Sequence, residues 1–218
     1  MQLETQIDVL ETPLSVISML EEISSSSGVS EFEFVGYVPG SEYDFTTIVG
    51  TATLGFEAVR KIGADKIGRY IIGTVYVNTD DGEDLLGRLA VGLSSRTPAG
   101  HLPQIDFCCR REDVELVYDF LRELNLDGYV LFSGRSYHFQ GSKPVEESGW
   151  QEFMRNLGED CSIVDFDWQS ECMENGYSVL RITDAQNKPY VPEVVAKVSR
   201  TLKYEGQMSL PFELNQPI

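Results

Sequence analysis

A turn of small, polar and cationic residues interrupts an apolar stretch near the middle of the chain. Residues 129–132 are aromatic or branched, which is typical of a β-strand, and they are followed by Ser133, Gly134, Arg135 and, three positions later, His138. Glycine lets a backbone come close to a ligand, serine and backbone N–H groups donate hydrogen bonds, and arginine supplies a planar cation. These residue types predict a phosphate cradle. The alternative for this segment is a hairpin turn with incidental polar residues.

Three aspartates lie in segments that have the composition of strands. Asp106 stands in an apolar segment, where burial of a carboxylate is costly unless it has a partner or a metal ion. Asp165 and Asp167 are two positions apart, so they share one face of the strand predicted for residues 162–168. Arg181 follows in another predicted strand, either as a second cation for phosphates or as the salt-bridge partner of acids at a sheet edge.

The three segments converge if they pair in one antiparallel sheet. The shared surface then carries a carboxylate pair, a serine, arginine and histidine grip, and a second arginine. Carboxylates that hold divalent cations and cations that hold phosphates are the parts of metal–triphosphate chemistry. The order of the three segments therefore favours this chemistry over three separate structural roles.

The spacing of apolar residues places these segments on an α+β framework. From residue 104 onwards the order is strand, helix, strand–turn–strand, helix, strand, strand and helix, which predicts a mainly antiparallel sheet with flanking helices. The first predicted helix has Thr12 as its N-cap and Pro13 at its first position. Strands are predicted at 31–38, 46–54, 71–77, 104–109, 162–168 and 177–183, a hairpin at 128–141, and helices at 10–23, 56–62, 83–93, 111–124, 145–157 and 192–202.

The net charge limits how the chain binds nucleic acid. Asp and Glu number 35 against 17 Lys and Arg, which gives a net charge of −18, and residues 1–100 and 101–218 carry −9 each. A duplex-binding protein normally displays a basic face that displaces counterions, so this charge argues against tight autonomous DNA binding. Contact with nucleic acid is then local or relies on a partner protein.

The apolar runs and the cysteines favour a reduced, cytoplasmic protein. No run approaches the roughly 18–20 apolar residues of a membrane span, and the N-terminal segment lacks the basic and apolar regions of a secretory signal. The four cysteines, at positions 108, 109, 161 and 172, lack the CxxC spacing of a structural zinc site. We expect reduced, mostly buried thiols, a cytoplasmic location and no membrane partner.

Asp106 in its strand, the following helix, the SGRSYH turn and the later VDFDW…GYSVLR segment together resemble the archaeo-eukaryotic primase superfamily. The chain looks most like the small bacterial members of the primase 1D-like kind, over about residues 104–192. In these primase–polymerases an Asp-x-Asp strand, a Ser-Gly-x-x-x-His turn and a later Asp bind two divalent metals and an incoming nucleotide. The resemblance implies catalytic roles for Asp106, Asp165 and His138, nucleotide binding by Ser133, Gly134, Arg135, His138 and Arg181, and ligation of Mg²⁺ or Mn²⁺ by Asp106, Asp165 and Asp167.

The resemblance also implies a domain organisation. Residues 1–100 would form a smaller N-terminal α/β unit, and residues 101–203 an RRM-like catalytic-core module whose antiparallel sheet carries the site. Residues 204–218 would be a flexible tail. No motif in residues 1–100 assigns that unit a role.

One position departs from the family pattern. Where the family has Asp-x-Asp, this chain has Asp106, Phe107 and Cys108. Magnesium prefers oxygen ligands, and a thiolate is a poor substitute. Asp167 compensates only if its strand turns it inward, and a zinc site from Asp106, Cys108 and His138 is a further alternative. We expect a degenerate site that binds a nucleotide or a nucleic-acid end and catalyses weakly or not at all.

The C-terminal tail carries an independent motif. Residues 207–212, QMSLPF, resemble the short peptide that binds the bacterial sliding clamp. Such a peptide places Gln207 at a polar lip and inserts Met208, Leu210 and Phe212 into an apolar pocket. The alternative is a tail strand that docks on its own domain. A clamp partner would deliver an acidic protein to DNA.

Three functions follow from these observations. The first is a primase-like protein that binds a nucleotide or a DNA end and is recruited to the replication clamp. The second is an active primase–polymerase, a metal-dependent nucleotidyltransferase. The third is an acidic protein that imitates DNA or blocks a nucleic-acid enzyme in host–phage conflict, an antiviral setting.

Overall fold

The computed structural model describes residues 2–37, 50–57, 61, 90–158, 162–185 and 188–203. Within them the fold is α+β with mostly antiparallel sheets and flanking helices, which confirms the predicted fold class. The helices are α1 (Val16–Ser27), α2 (Val114–Leu124), α3 (Glu147–Asn156) and α4 (Phe166–Asn175). The strands are β1 (Gln2–Leu14), β2 (Glu31–Tyr37), β3 (Gly50–Gly55), β4 (Ala90–Ser94), β5 (Arg96–Thr97), β6 (Gly100–His101), β7 (Gln104–Asp106), β8 (Gly128–Phe132), β9 (Tyr137–Gly141), β10 (Val179–Arg181) and β11 (Glu193–Lys203).

A five-stranded antiparallel sheet carries most of the segments singled out above. Its strand order is β1-β11-β8-β9-β7, and the predicted hairpin at 128–141 forms β8 and β9. The predicted helix at 192–202 is wrong, because these residues form β11. Val194, Ala196 and Val198 are buried at every second position, which is the period of a strand. The strand β11 is also hydrogen-bonded on both sides, to β1 and to β8.

A four-stranded sheet, in the order β10-β4-β2-β3, forms the second layer. The strand predicted at 31–38 is confirmed as β2, and Val179–Arg181 form β10 within the strand predicted at 177–183. The predicted helix at 83–93 is wrong at its C-terminal end, where residues 90–94 form β4. All five residues of β4 are buried, and a strand covered on both faces has no polar alternation to reveal it.

The first helix begins later than its predicted start. The Ser15 hydroxyl accepts a 3.1 Å hydrogen bond from the Ser18 N–H, so Ser15 is the N-cap of α1. Thr12 and Pro13, the predicted cap and first position, belong to β1 instead. The helix ends at Ser27, and the φ of 71° at its C-cap Gly28 is a left-handed conformation that glycine adopts without strain. Helices α2 and α3 confirm the amphipathic helices predicted at 111–124 and 145–157.

A buried polar network joins the two sheets. The Gln104 side chain on β7 donates to the Leu93 carbonyl on β4 at 3.0 Å and to the Gln140 side-chain oxygen on β9 at 2.7 Å. Its own oxygen accepts from the Ser178 hydroxyl at 2.9 Å. Because buried amide groups are stable only when their donors and acceptors are paired, this network fixes the register of one sheet over the other.

Strands from both sides of residue 100 pair in both sheets: β1 with β11, and β4 with β10. The division into units at residues 100 and 203 stays a prediction. The elements predicted at 71–77 and at 83–89, most of 56–62, and the tail from residue 204 lie outside the described residues. None of the helices described is both long enough and apolar enough to cross a membrane.

Candidate functional site

Strand pairing brings the first two predicted segments together. Asp106, the last residue of β7, lies directly opposite His138 on β9. The Asp106 Oδ1 atom is 3.4 Å from His138 Nε2, and the Asp106 side chain is 14% exposed, whereas that of His138 is 7% exposed. An acid and an imidazole therefore share one face of the sheet, with the acid nearer to solvent.

The third segment joins them through the main chain. The Asp165 N–H donates to the Asp106 carbonyl at 2.9 Å, next to an isolated bridge between Phe107 and Val164. The prediction of a strand at 162–168 is wrong, because Asp165 is the N-cap of α4 and its Oδ1 accepts a 3.0 Å hydrogen bond from the Trp168 N–H. An aspartate directly before a helix is a favoured N-cap, so the sequence did contain a signal for a helix starting here.

The helix also separates the two aspartates that were expected to share a strand face. Asp167 lies in the first turn of α4 and is exposed, whereas Asp165 is half-buried at the cap. A helix turns successive side chains by 100° and not by 180°, so residues two apart point in different directions. Asp165 therefore adjoins Asp106 through the main chain, while Asp167 has the exposure of a solvated helix position.

The buried imidazole of His138 remains neutral at ordinary pH. Its pKa is lowered to about 3. Burial is the largest cause, and the positive charges of Arg181 and Lys188 act in the same direction. Among the described residues, its Nδ1 atom has no hydrogen-bond partner although it is buried. Because Nε2 faces the Asp106 carboxylate, the neutral ring carries its proton on Nε2, and Nδ1 is left as a buried hydrogen-bond acceptor.

The Ser133–Ser136 turn connects β8 to β9 beside His138. The Ser133 hydroxyl donates to the Ser136 carbonyl at 3.0 Å, and the Ser133 N–H donates to the same oxygen at 2.9 Å. Gly134 has a φ of 99°, a conformation that disfavours residues with a Cβ. Arg135 is exposed, and no hydrogen bond or ion pair joins it to a described residue.

Arg181 reaches the same turn from β10. Its buried guanidinium donates to the main-chain carbonyl of Ser133 at 2.7 Å, to that of Tyr190 at 2.5 Å, and to that of Thr183. Arg181, which was predicted to bind phosphate, thus lies beside the turn, but its N–H donors bind main-chain carbonyls. Arg181 also affects Tyr37 on β2. Burial raises the pKa of the Tyr37 phenol, the positive charge of Arg181 opposes this increase, and the negative charge of Asp106 adds to it.

Among the described residues, the donor set does not fit two divalent metals. Cys108 is exposed, and its Sγ atom lies 3.5 Å from the Ser162 carbonyl oxygen and 3.6 Å from that of Val164. Asp165 is engaged as a helix cap, and Asp106 is the remaining carboxylate of the predicted trio at the sheet. In the described part of the chain, no three His, Cys, Asp or Glu side chains are grouped as a metal site requires. This applies also to the zinc alternative through Cys108.

Three residues of the site were missed from the sequence. Tyr37 comes from a strand more than sixty positions upstream, and no local signal points to it. Lys188 and Tyr190 lie in the NKPYVP segment, where a lysine before the first proline and an aromatic residue between the two prolines are typical of an exposed loop. Those two residues were detectable as a candidate contact loop, although their position beside the Ser133 turn was not.

Comparison with known proteins gives one match. A family profile described as AEP-like, archaeo-eukaryotic primase 1D-like, matches residues 77–195, which is just over half of the chain. The matched range contains Asp106, His138, Asp165 and the turn between β8 and β9. No curated protein and no solved structure matches the chain.

Proposed function

The chain belongs to the archaeo-eukaryotic primase 1D-like family, and from this premise we propose that it binds a nucleotide or a DNA end without two-metal catalysis. The ligand site is the surface formed by Asp106, His138 and the Ser133–Ser136 turn. The family supports a primase-like, nucleotide-binding protein. The loss of catalysis is our inference from two side chains. Cys108 replaces one metal ligand of the family, and the Asp165 carboxylate is engaged in capping a helix.

One observation carries the proposal. Asp106, His138 and Asp165 come from three separate segments, yet a 3.4 Å side-chain contact and a 2.9 Å main-chain hydrogen bond join them at one place. The exposed Arg135 supplies a cation beside them, which suits a phosphate. Local cationic binding of this kind is compatible with a net charge of −18, because it needs no basic face.

The absence of catalysis follows from the ligands that two metals need. A cation pair that activates a 3′-hydroxyl and a triphosphate requires several carboxylate oxygens at once. Here Cys108 stands in the place of the second aspartate, and the Asp165 carboxylate caps α4. The side chains that remain bind and orient a ligand, but they do not hold the metals that would drive nucleotidyl transfer.

Calorimetric titration with nucleoside triphosphates, with and without manganese, tests binding. We expect binding with little dependence on manganese, and we expect Arg135→Ala to weaken it about tenfold, the loss of one charge-assisted contact. Arg155→Ala is the matched control, since Arg155 is an exposed arginine on α3, away from the turn. Template-directed synthesis that disappears in Asp106→Ala would instead establish an active primase–polymerase and refute the non-catalytic part.

We also propose recruitment to the sliding clamp through residues 207–212. The proposal rests on the tail sequence, which resembles a clamp-binding peptide, and on the acidic composition, which calls for a partner that brings the protein to DNA. The side chains of Met208, Leu210 and Phe212 would anchor the peptide in an apolar pocket of the clamp. The family match ends before this segment.

A pull-down with a purified bacterial clamp tests the recruitment. The double substitution Leu210→Ala and Phe212→Ala should abolish capture, whereas Asn215→Ala, in the same tail but outside the motif, should leave it unchanged. Equal capture of both variants would refute the peptide assignment. Nucleotide binding by the clamp-negative variant should stay at the wild-type level, which separates the two proposals.

A further inference from the structure

Tyr190 packs directly on the Ser133–Ser136 turn. A Cβ added to Gly134 would lie 2.5 Å from the Tyr190 Cβ and 2.8 Å from its Cγ, so the tyrosine occupies the space beside this glycine. The Tyr190 ring also meets the Phe132 ring edge to face, with a centroid distance of 5.3 Å. Its hydroxyl donates to the Glu193 carboxylate at 2.9 Å. One face of the turn is therefore covered.

The cover is tied to the turn by Arg181. The same guanidinium donates to the main-chain carbonyls of Tyr190 and Ser133, at 2.5 and 2.7 Å. Because Arg181 is buried, water does not readily replace these hydrogen bonds, and they fix the position of the Tyr190 segment relative to the turn. The residue Tyr190, in contrast, is 37% exposed, and the hydrogen bond from its hydroxyl to Glu193 is open to solvent. The backbone and Cβ of Tyr190 are therefore anchored, while the ring, whose Cγ and Cδ1 atoms would lie 2.8 and 3.2 Å from a Cβ at Gly134, can rotate away.

The covered turn has donors that a phosphate would use. Within the described residues, the N–H groups of Gly134 and Arg135 make no backbone hydrogen bond. Successive N–H groups in a turn that contains a positive φ form a concave anion site. A ligand that approaches the Gly134 side of this turn meets the Tyr190 side chain first.

We propose that Tyr190 is a positioning residue that acts as a clasp, closing the turn until an anionic ligand displaces its ring from Gly134. This inference rests on the proposed function, because it concerns access to the same nucleotide site. Arg181 is the anchor of the clasp, and it acts on the ligand through the backbone of Ser133 and Tyr190. The free protein is then mostly closed, and the apparent affinity is reduced by the fraction of molecules that are open.

The test compares Tyr190→Ala with two controls in the full chain. Tyr190→Phe keeps the ring and loses only the bond to Glu193, and Val191→Ala truncates the exposed neighbouring side chain. Calorimetry with a nucleoside triphosphate should show tighter binding for Tyr190→Ala by about three- to tenfold, as expected when a closed state is removed. Both controls should stay within about twofold of wild type. Equal or weaker binding by Tyr190→Ala overturns the clasp, and weaker binding would make Tyr190 a ligand contact.

Hydrogen exchange without ligand separates the clasp from the proposed function. Tyr190→Ala should speed the exchange of the Ser133 amide, which donates to the Ser136 carbonyl within the turn, at least tenfold, with no such change in the α2 amides, which report global stability. Unchanged exchange at the turn overturns the clasp even if nucleotide binds. If no variant binds nucleotide but the turn exchanges faster in Tyr190→Ala, the clasp stands and the assignment of a nucleotide as its ligand fails.

Discussion

The main-chain N–H of Asp165 donates a 2.9 Å hydrogen bond to the main-chain carbonyl of Asp106, and this bond sets two carboxylate-bearing segments side by side. Their side chains do different work. The Asp106 carboxylate faces His138, whereas the Asp165 carboxylate caps α4. The two acids are therefore neighbours without forming a symmetric pair, and substitutions should separate a ligand-binding role from a structural one.

Asp165→Ala should destabilise the protein by about 1 kcal/mol, because it removes the acceptor for the Trp168 N–H at the start of α4. Asp165→Ser restores a capping hydroxyl and should recover most of this free energy of unfolding. Urea denaturation of the three proteins measures the difference. If Ser and Ala variants are equally unstable, the charge of Asp165, and not its cap, stabilises the site.

Acidification should destabilise the native state through His138. The unfolded chain takes up a proton near the ordinary pKa of 6.5, whereas native His138 does so only near 3, since burial and the charges of Arg181 and Lys188 oppose it. The free energy of unfolding therefore falls as the pH drops through this window, by up to about 1.4 kcal/mol per pH unit from this residue. Full stability from this source is present above pH 6.5.

The variant His138→Gln isolates that contribution, because every other titrating group is retained. Denaturation midpoints measured from pH 7 to pH 4 should fall less steeply for the variant than for wild type. Parallel curves for the two proteins would mean that native His138 takes up its proton at the same pH as in the unfolded chain, with its contact to Asp106 offsetting the effect of burial.

Cys108→Asp should create manganese binding that the wild type lacks. The Cys108 Sγ atom lies within 3.6 Å of the carbonyl oxygens of Ser162 and Val164, so a carboxylate there joins two oxygen donors. Cys108→Asn, a neutral side chain of the same size, is the control. We expect the melting temperature of the Asp variant alone to rise with manganese. A similar rise for Asn, or none for Asp, would contradict this account of the missing ligand.

Gln104→Leu should cost about 2–3 kcal/mol of unfolding free energy, because the Gln140 side-chain oxygen and the Ser178 hydroxyl lose the hydrogen bonds that Gln104 makes with them in a buried layer. Gln151→Leu, on the exposed face of α3, should change stability by less than about 0.5 kcal/mol. Chemical denaturation compares the two. A small cost for Gln104→Leu would show that the sheets keep their relative register without this network.

The sequence by itself supplied the candidate site residues and predicted those strands and helices that depend on short-range sequence patterns. The hairpin at 128–141 and the amphipathic helix α2 follow from strand composition, a glycine turn and helical periodicity, all within about a dozen residues. The family resemblance came from the same local motifs, and the family match confirms it. The roles of the individual site residues, the metal ions and the clamp remain predictions.

Only the tertiary structure decided how distant segments combine. Residues 193–203 are apolar enough for a helix or a strand, and pairing with β1, nearly two hundred positions away, selects the strand. Asp165 became a helix cap because the chain leaves the sheet after Val164. Arg181 and Tyr190 contact the Ser133–Ser136 turn because long-range packing brings their segments to it. Local sequence encodes propensities, but these contacts depend on which surfaces the whole chain buries together.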